Sequence, residues 1–266
     1  MQLGYCNSLV GQNRPRGASF VGALDGFTAD LASLCSVHTR WLTSWSSPLI
    51  RVRRSSDDTE LDISADSTGL LDTAALLTFT GAGDGFVTTV YDQSGNGNDM
   101  VQATGASQPM IVSSGVVVTN ESMPAAGLDT AELQDMGLAD SVSARTWIST
   151  ASLTSGSPLY AGLITATPVG IVFVDAAGVL FPPSIPSALF YKDSVLSVPE
   201  ATAFKESGTH CWTLTGDATS GAWRWGSERE NPARYMNGFV QDFILYSTIP
   251  SFRADVEAAL IARLGL

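Results

Sequence analysis

The sequence predicts an all-β fold, on three observations. The chain has 25 glycines, and short runs of four to eight apolar or alternating residues recur between turn-forming segments. Hydrophobic residues make up 44% and charged residues 15%, a composition that buries a core and excludes global disorder. No internal repeat is visible, which argues against a solenoid or a propeller. We therefore expect one large antiparallel β domain.

Nine segments have the length and composition of strands. The clearest is 238–246, where both alternating sets of side chains are apolar, as in a central strand covered on both faces. The other predicted strands are 49–54, 86–91, 115–119, 145–152, 170–174, 188–192, 210–215 and 222–225.

Three segments have a helical spacing instead. Apolar side chains recur every three or four positions over 28–45, and Thr28 is placed to cap the start. A second helix is predicted over 72–79, beginning with an acid that the helix dipole favours. The third follows Ser251 as its N-cap, and we expect its apolar stripe to pack on the sheet. The side chains on that stripe are Phe252, Val256, Leu260 and Leu264.

Charge and composition exclude several classes of partner. The chain has 14 Lys and Arg against 26 Asp and Glu, a net charge of −12, which argues against nucleic-acid binding. No run approaches the roughly 20 apolar residues of a membrane-spanning helix. The first residues lack the pattern of a signal peptide. Three cysteines, Cys6, Cys35 and Cys211, have no paired spacing, so reduced thiols and no metal site or other cofactor are expected.

The most unusual segment is 86–99, a strand followed by a turn rich in Gly, Asn and Asp. Asn96 suits positive φ, and Asp92 can accept hydrogen bonds from the amides of its own turn. The simplest interpretation is a self-stabilised connection between strands. The alternative is a weak calcium site formed by Asp92, Asn96 and Asp99, although the twelfth loop position is Ala103 where a standard loop has Glu.

Arginines cluster just upstream, over residues 47–58. Arg51 and Arg53 lie on the same face of a predicted strand, and Asp57 and Asp58 follow in the next turn. Because an Arg fork pairs well with a carboxylate, internal ion pairs are the simpler account. Binding of a sugar acid or a phosphate is the alternative.

Histidines and familiar catalytic motifs give little support for an active site. His38 and His210 stand alone in apolar contexts, so neither a catalytic triad nor a zinc site has its partners at a recognisable spacing. The GxSxG, P-loop, HExxH and dinucleotide fingerprints are absent from the sequence. The chemistry that remains is the kind that carboxylates perform alone.

Aromatic residues form a second candidate site late in the chain. Trp223, Trp225 and Tyr235 have polar neighbours in sequence, and such rings suit stacking against sugars. Asp92 and Asn96 are the polar residues that we assign to the same glycan-binding site. Because Trp and Tyr are also common in cores, at least half of the late aromatic residues are expected to be interior.

Residues 24–109 resemble the start of the catalytic domain of α-L-arabinofuranosidase B. The matching segments are SPLIRVRRSSDD at 47–58, LDTAALLTFTGAGDGFVTTVYDQSGNGND at 71–99 and the SQP that follows. They are even more similar to the arabinofuranosidase-B-type modules of bacteriophage and prophage virion proteins. A looser resemblance of 235–247 to concanavalin A-like lectins and glucanases implies a two-sheet antiparallel jelly roll over 24–266, after an N-terminal arm at 1–23 that could anchor the chain to a particle.

The resemblance also implies two catalytic carboxylates, a Glu on a strand in mid-domain and an Asp in a Gly-rich stretch near the end. A retaining glycosidase holds such a pair roughly 5 to 5.5 Å apart. In this sequence the segment 169–180 has only Asp175, and the late stretch has Glu228 and Glu230 but no Asp. Neither role has the expected residue, and Arg229 favours the ionised forms of its neighbours.

From these departures we expect a non-catalytic structural protein of a bacteriophage virion. It would belong to a tail fibre, a tail tip or a capsid decoration, assembled in the host cytoplasm. Its lectin-like domain would form a homo-oligomer that binds host-surface polysaccharide or cements other virion proteins. The first alternative is a retaining glycoside hydrolase with Asp175 and Glu228 or Glu230 as its carboxylates. The second is an architectural decoration protein that binds no sugar.

Overall fold

The computed structural model of the chain describes residues 20–129, 131–153, 160–167, 169–175, 180–181, 189–197, 209–226 and 236–266. These residues form a mostly antiparallel β structure with two α-helices. The all-β class predicted from the sequence is therefore confirmed. Neither helix of the described ranges is long and apolar enough to cross a membrane.

The strands follow one another along the chain with few helical interruptions. The first ten are β1 (Leu31–Ser36), β2 (Ile50–Arg54), β3 (Glu60–Ile63), β4 (Gly85–Val90), β5 (Met100–Val101), β6 (Met110–Ser113), β7 (Val116–Val117), β8 (Thr119–Asn120), β9 (Met123–Pro124) and β10 (Ala126–Leu128). The next nine are β11 (Met136–Leu138), β12 (Val142–Leu153), β13 (Tyr160–Thr167), β14 (Val169–Asp175), β15 (Leu180–Phe181), β16 (Leu189–Lys192), β17 (Val195–Ser197), β18 (Thr209–Trp225) and β19 (Gly238–Tyr246). The helices are α1 (Thr73–Thr80) and α2 (Arg253–Leu264).

The strand pairings follow a closed path around a core. From β4 the path passes through β6, β10 and β19 in one direction, and through β5, β11, β18 and β12 in the other. It closes where β12 pairs with β19. Trp147, Trp225 and Phe243 are among the largest side chains in the enclosed core, and the last two rings meet edge to face at 5.7 Å. The arrangement is consistent with an all-β sandwich.

A second, smaller core lies between the outer face of the sheet and α2. Ile148 of β12 points into it, and Val256 and Leu260 of the helix cover it. The predicted C-terminal helix and its buried stripe are thus confirmed. The residue at its N-terminal cap is Phe252 rather than the predicted Ser251.

The short helix predicted over 72–79 is also confirmed, as α1. The carboxylate of Asp72 accepts a hydrogen bond from the amide of Ala75 at 2.9 Å, which satisfies one of the free donors at the helix start. Leu76 anchors the helix in the main core.

The helix predicted over 28–45 is wrong, because β1 and irregular turns occupy this segment. β1 pairs with β19, and its side chains point alternately into the two cores, Leu34 into the smaller and Cys35 into the larger. A strand covered on both faces has apolar residues at consecutive positions and lacks a period of two. Apolar loop residues further along, including Trp41 and Leu42, completed a spacing that resembles a helix.

The strands predicted over 210–215 and 222–225 are a single strand, β18. Between them, residues 216–218 bulge out opposite the single residue Arg145, whose Nε donates to the carbonyl oxygen of Gly216 at 3.0 Å. The predicted strand at 115–119 divides into β7 and β8, and the other predicted strands are present within a few residues of their expected bounds.

The described end of the predicted N-terminal arm packs on the domain. The guanidinium carbon of Arg40 lies 3.8 Å from the centre of the Phe20 ring. A Cβ atom at Gly22 would lie 2.4 Å from the carbonyl oxygen of Trp41, so only glycine allows this approach. Residues 1–19 lie outside the described ranges.

Candidate functional site

An open groove runs across strands β2, β4, β6, β10 and β19, and we call it the cross-strand groove. It consists of two adjoining cavities of about 830 and 450 Å³. Both cavities are lined by Met110, Asp129, Glu132 and Gln134, which makes them continuous. A groove of this size can hold several units of an oligomeric ligand.

The floor of the groove is a single row of residues, one from each strand. The register places Arg53 opposite Phe86, Phe86 opposite Met110, Met110 opposite Gly127, and Gly127 opposite Phe239. Their strand neighbours, including Val52, Val87, Ala126 and Val240, point into the main core. Since successive side chains of a strand point to opposite faces, the row lies on the outer face. We call these five residues the floor row.

Arg53 forms one end wall of the groove. Its guanidinium carbon lies 4.9 Å from the centre of the Phe86 ring, a cation–π contact. Its Nη1 donates to Asp58 at 2.6 Å, its Nε to Gln108 at 2.7 Å, and its Nη2 to the carbonyl oxygen of Gly105 at 3.2 Å. With all three nitrogens engaged, Arg53 is a fixed wall of the groove.

Arg51 pairs in the same way with a carboxylate. Its Nε and Nη2 donate to the two oxygens of Asp62 at 2.7 and 2.9 Å. The hydrogen bond from Arg51, helped by one from Tyr91, outweighs partial burial and keeps the pKa of Asp62 below its ordinary value. The internal ion pairs predicted for the arginine cluster are confirmed at both positions.

A chain of hydrogen bonds connects the wall of the groove to the interior. The side chain of Gln108 donates to the carbonyl oxygen of Gln102 at 3.0 Å, and Gln102 in turn donates to the carboxylate of Asp135. Asp135 is 1% exposed and accepts a hydrogen bond from Nε of Arg224 at 2.9 Å. This network fixes the wall to β18, because a buried charge pair with several partners has one stable geometry.

Four carboxylates line the rim of the groove and are exposed. They are Asp58, Glu60, Asp129 and Glu132. Among the described residues that line the groove, Arg53 is the only cation, so the rim has a negative potential. Carboxylates accept hydrogen bonds from hydroxyl groups, which makes the rim suited to a ligand with many hydroxyls.

The segment with two of the predicted catalytic residues begins and ends beside the groove. Glu228 and Glu230 lie outside the described residues. The residues that flank the gap are bonded to each other, since the amide of Met236 donates to the carbonyl oxygen of Gly226 at 2.7 Å. A Cβ atom at Gly226 would lie 2.7 Å from Leu128, which lines the groove.

The backbone register places Asp175 at the same end of the sheet. Ile164 of β13 is opposite both Val172 of β14 and Trp225 of β18. Asp175 is the last residue of β14, three positions beyond Val172. It therefore lies about 10 Å beyond the level of Trp225, in the direction in which β18 runs towards Gly226.

The late tryptophans do not form a sugar-binding face, which corrects the prediction for them. Trp223 is 2% exposed and Trp225 is fully buried, and both belong to the main core. Their ring nitrogens donate to the carbonyl oxygen of Val142 at 2.8 Å and to the hydroxyl of Ser149 at 3.1 Å. Tyr235 lies outside the described residues.

Asp92 is buried and stabilises its own turn, which corrects its assignment to a glycan-binding site, whereas Asn96 is exposed and its assignment stays a prediction. Asp92 is 1% exposed and accepts hydrogen bonds from the amides of Leu34 at 2.8 Å and Asn98 at 3.0 Å. The side-chain amide of Asn96 donates to the carbonyl oxygen of Leu31 at 2.8 Å. The self-stabilised turn is confirmed.

The calcium alternative has no support in this turn. Asp99 accepts a hydrogen bond from the amide of Asp92 at 2.8 Å, and the carboxylate oxygens of Asp92 are engaged by turn donors. Burial, and next the charge of Asp92, raise the pKa of Asp99. Within the described ranges no cluster of three His, Cys, Asp or Glu side chains is arranged to hold a metal ion.

Both histidines pair with aspartates. His38 Nε2 lies 3.1 Å from Asp242 Oδ2, and both side chains are fully buried. His210 Nδ1 lies 2.7 Å from Asp193 Oδ2, beside the hairpin turn between β16 and β17. Cys35 and Cys211 are buried free thiols.

Sequence reasoning missed the groove itself. Phe86 stands in the segment that we singled out, but its cross-strand neighbours Met110, Gly127 and Phe239 are separated from it by 24 or more positions. Alternation within each strand predicts which residues share a face. The pairing of distant strands decides which of them lie side by side, and no local pattern contains that information.

The fold and the groove define a class of protein, an all-β protein with an acidic, open cleft. A family model described as the catalytic domain of α-L-arabinofuranosidase B matches residues 28–127, which is a little over a third of the chain. A comparison with curated proteins gives no match.

Solved structures with a similar fold are arabinofuranosidases. One is an arabinofuranosidase complexed with arabinofuranosyl-α-1,2-xylobiose, with 16% identity and a TM-score of 0.60. A second is a mutant of a GH54 α-L-arabinofuranosidase soaked with 4-nitrophenyl α-L-arabinofuranoside, with 16% identity and a TM-score of 0.56. A third is a GH54 enzyme soaked with a cyclic sulfate inhibitor, with 14% identity and a TM-score of 0.51. The alignments cover 92% of this chain and 64% of each of the others.

These comparisons contradict the expectation of a non-catalytic virion protein. The family model and the three similar structures all refer to arabinofuranosidases, and nothing in them points to a bacteriophage. They support the alternative, a glycoside hydrolase. The expectation of a virion protein gave the departures at Asp175, Glu228 and Glu230 more weight than the resemblance of residues 24–109 to an arabinofuranosidase.

Proposed function

We propose that the chain is a glycoside hydrolase that removes arabinofuranosyl units from a polysaccharide, on a two-sheet jelly-roll scaffold. The observation that supports this most directly is the acid-rimmed groove on a fold shared with arabinofuranosidases over 92% of the chain. Glycoside hydrolysis needs two carboxylates and no cofactor, which agrees with the residue types around the groove.

Asp175 and one of Glu228 and Glu230 are the carboxylates that we assign to the reaction. Asp175 would attack the anomeric carbon, while the glutamic acid protonates the departing glycosidic oxygen. The same glutamate would then remove a proton from the water that hydrolyses the glycosyl–enzyme intermediate. The backbone register supports this assignment, since Asp175 lies beyond the level of Trp225 in the direction in which β18 runs. Gly226, the residue after β18, packs against the groove-lining Leu128.

The experiment is release of 4-nitrophenol from 4-nitrophenyl α-L-arabinofuranoside. We expect turnover by the unaltered chain and a loss of roughly a thousandfold or more in kcat for Asp175→Asn. One of Glu228→Gln and Glu230→Gln should have a comparable effect, and the other should have little.

Asp57→Asn is the matched control, because it removes a carboxylate that is paired with Arg54 outside the groove. Added azide should restore product formation to Asp175→Ala, as a glycosyl azide, if this residue is the nucleophile. Absence of turnover by the unaltered chain, or turnover that all three variants retain, would contradict the proposal.

A further inference from the structure

We propose that the floor row binds the main chain of a neutral polysaccharide, with Phe86 and Phe239 as stacking faces near its two ends. This inference rests on the proposed function and specifies its substrate class. The ligand is an extended, uncharged polymer that lies across the strands, and the arabinofuranosyl unit is a branch on it.

The distance between the two rings suits such a chain. Phe86 is on β4 and Phe239 is on β19, with β6 and β10 between them. Three strand spacings amount to about 14 Å, a length that roughly three units of an extended polysaccharide span. Met110 offers an apolar surface between the rings, and the groove is open along the whole row.

Gly127 has no side chain that would protrude from the middle of the floor row into the groove. A Cβ atom there would lie 3.6 Å from the carbonyl oxygen of Met110 and from Cγ1 of Val118, and 3.8 Å from Cε1 of Phe239. These are ordinary contact distances, so the backbone packing does not demand glycine at this position. Glycine instead leaves space for a ligand between Met110 and Phe239.

Phe86 is fixed before any ligand arrives. The guanidinium of Arg53 contacts its ring, and Arg53 is held in turn by Asp58 and Gln108. A ring that is already immobile loses little conformational entropy when a sugar stacks on it.

The charges around the groove select against acidic ligands. The rim carboxylates surround the row, and the chain as a whole has a charge of −12. Arg53 is the only cation among the described lining residues, and its charge is neutralised by Asp58, to which Nη1 donates at 2.6 Å. Sugar hydroxyls can donate to the rim carboxylates, which therefore favour a neutral polymer.

The test is binding of the full chain to soluble, neutral arabinoxylan and to polygalacturonate, by affinity electrophoresis and by titration calorimetry. We expect binding to arabinoxylan that is at least tenfold tighter than binding to polygalacturonate. Phe86→Ala and Phe239→Ala should each raise the Kd for arabinoxylan roughly five- to tenfold. Gly127→Val, which fills the middle of the row and retains a residue suited to strands, should raise it at least tenfold without lowering Tm.

Phe20→Ala is the matched control, because this ring also contacts an arginine but lies away from the groove. Its Kd should equal that of the unaltered chain. Hydrolysis of the small 4-nitrophenyl arabinofuranoside should also be unchanged in the Phe20→Ala variant, since Phe20 lines neither cavity of the groove.

The outcomes separate this inference from the proposed function. If the unaltered chain does not bind arabinoxylan, binds polygalacturonate as tightly, or is insensitive to all three floor-row variants, the inference is overturned. If binding behaves as expected while neither arabinoxylan nor 4-nitrophenyl arabinofuranoside is hydrolysed, the assignment of the floor row to polysaccharide binding stands and the hydrolase proposal fails.

Discussion

Two sets of carboxylates in this molecule have opposite surroundings. Asp242 is fully buried and accepts hydrogen bonds from Trp41 at 2.8 Å and Thr150 at 2.6 Å, besides its contact with His38. Asp58, on the rim of the groove, has a side chain that is 77% exposed and pairs only with Arg53 among the contacts described for it. The comparison teaches that an acid with several buried hydrogen-bond partners stabilises the fold, whereas an exposed acid with one partner remains available to a ligand.

The largest effect on stability is expected at Asp242. Asp242→Ala leaves the buried donors of His38, Trp41 and Thr150 without their acceptor, so the free energy of unfolding should fall by about 3 to 5 kcal/mol. Urea unfolding followed by tryptophan fluorescence measures it. A loss below about 1 kcal/mol would mean that water or a rearrangement replaces the carboxylate.

The pH dependence of stability should have the same origin. Burial raises the pKa of Asp242, but the charge of His38 and hydrogen bonds from His38 and Thr150 outweigh it and leave the pKa below its ordinary value. An acid whose pKa is lower in the folded state stabilises the fold above its unfolded pKa of about 3.9 and loses that contribution as the pH falls.

Stability should therefore decline below a pH of about 4, and Asp242→Asn should flatten this part of the profile. Urea midpoints measured between pH 2.5 and 7 provide the check. An unchanged acid limb in the variant would assign the decline to other carboxylates, such as Asp62, whose pKa is also lowered.

An intermediate loss of stability is expected at Arg224, whose partner Asp135 connects the core to the wall of the groove. Arg224→Met removes the ion-pair partner of the buried Asp135, and we expect a loss of about 3 kcal/mol. Because Gln102 connects Asp135 to the wall of the groove, affinity for arabinoxylan should fall as well. The double variant with Asp135→Asn should lose less than the sum of the two single variants, which a double-mutant cycle measures.

The same comparison explains how much the sequence predicts. Helix α2 follows from a local pattern with a helical period, and β19 follows from apolar residues in both of its alternating sets. Helix α1 follows from an acid at its start, which the helix dipole favours. The structure of segment 28–45 does not follow from its local pattern. Leu34 and Cys35 pack into two different cores, and the resulting spacing of apolar residues resembles that of a helix. The turn at Asp92 was predicted from its own residue types, since Asp and Asn form such turns without distant partners.

The candidate site could not be predicted from local sequence patterns. Arg53 and its ion pair follow from sequence neighbours, whereas Phe86 and Phe239 become adjacent to one surface only after β4, β6, β10 and β19 have paired. Trp223 and Trp225 illustrate the converse error. A tryptophan in sequence has no mark that distinguishes a core ring from a binding ring, and burial in the fold decides between them.

A smaller effect is expected for an acid with a single structural hydrogen bond. Asp72→Ala removes the cap of α1, and the free energy of unfolding should fall by about 1 kcal/mol. Asp72→Asn, which retains an oxygen acceptor at the same position, should recover most of the loss. Urea unfolding of the pair gives the difference, and an equal loss in both variants would assign the effect to charge rather than to the cap.

The smallest effect should be at the rim of the groove. Asp58→Asn removes an exposed charge, so the free energy of unfolding should change by no more than about 0.5 kcal/mol in urea unfolding. The variant should instead change selectivity, because Arg53 then loses its neutralising partner and polygalacturonate should bind more tightly relative to arabinoxylan. A loss of stability above about 1.5 kcal/mol would place Asp58 with Asp242 among the structural acids, and the distinction between the two sets of carboxylates would not hold.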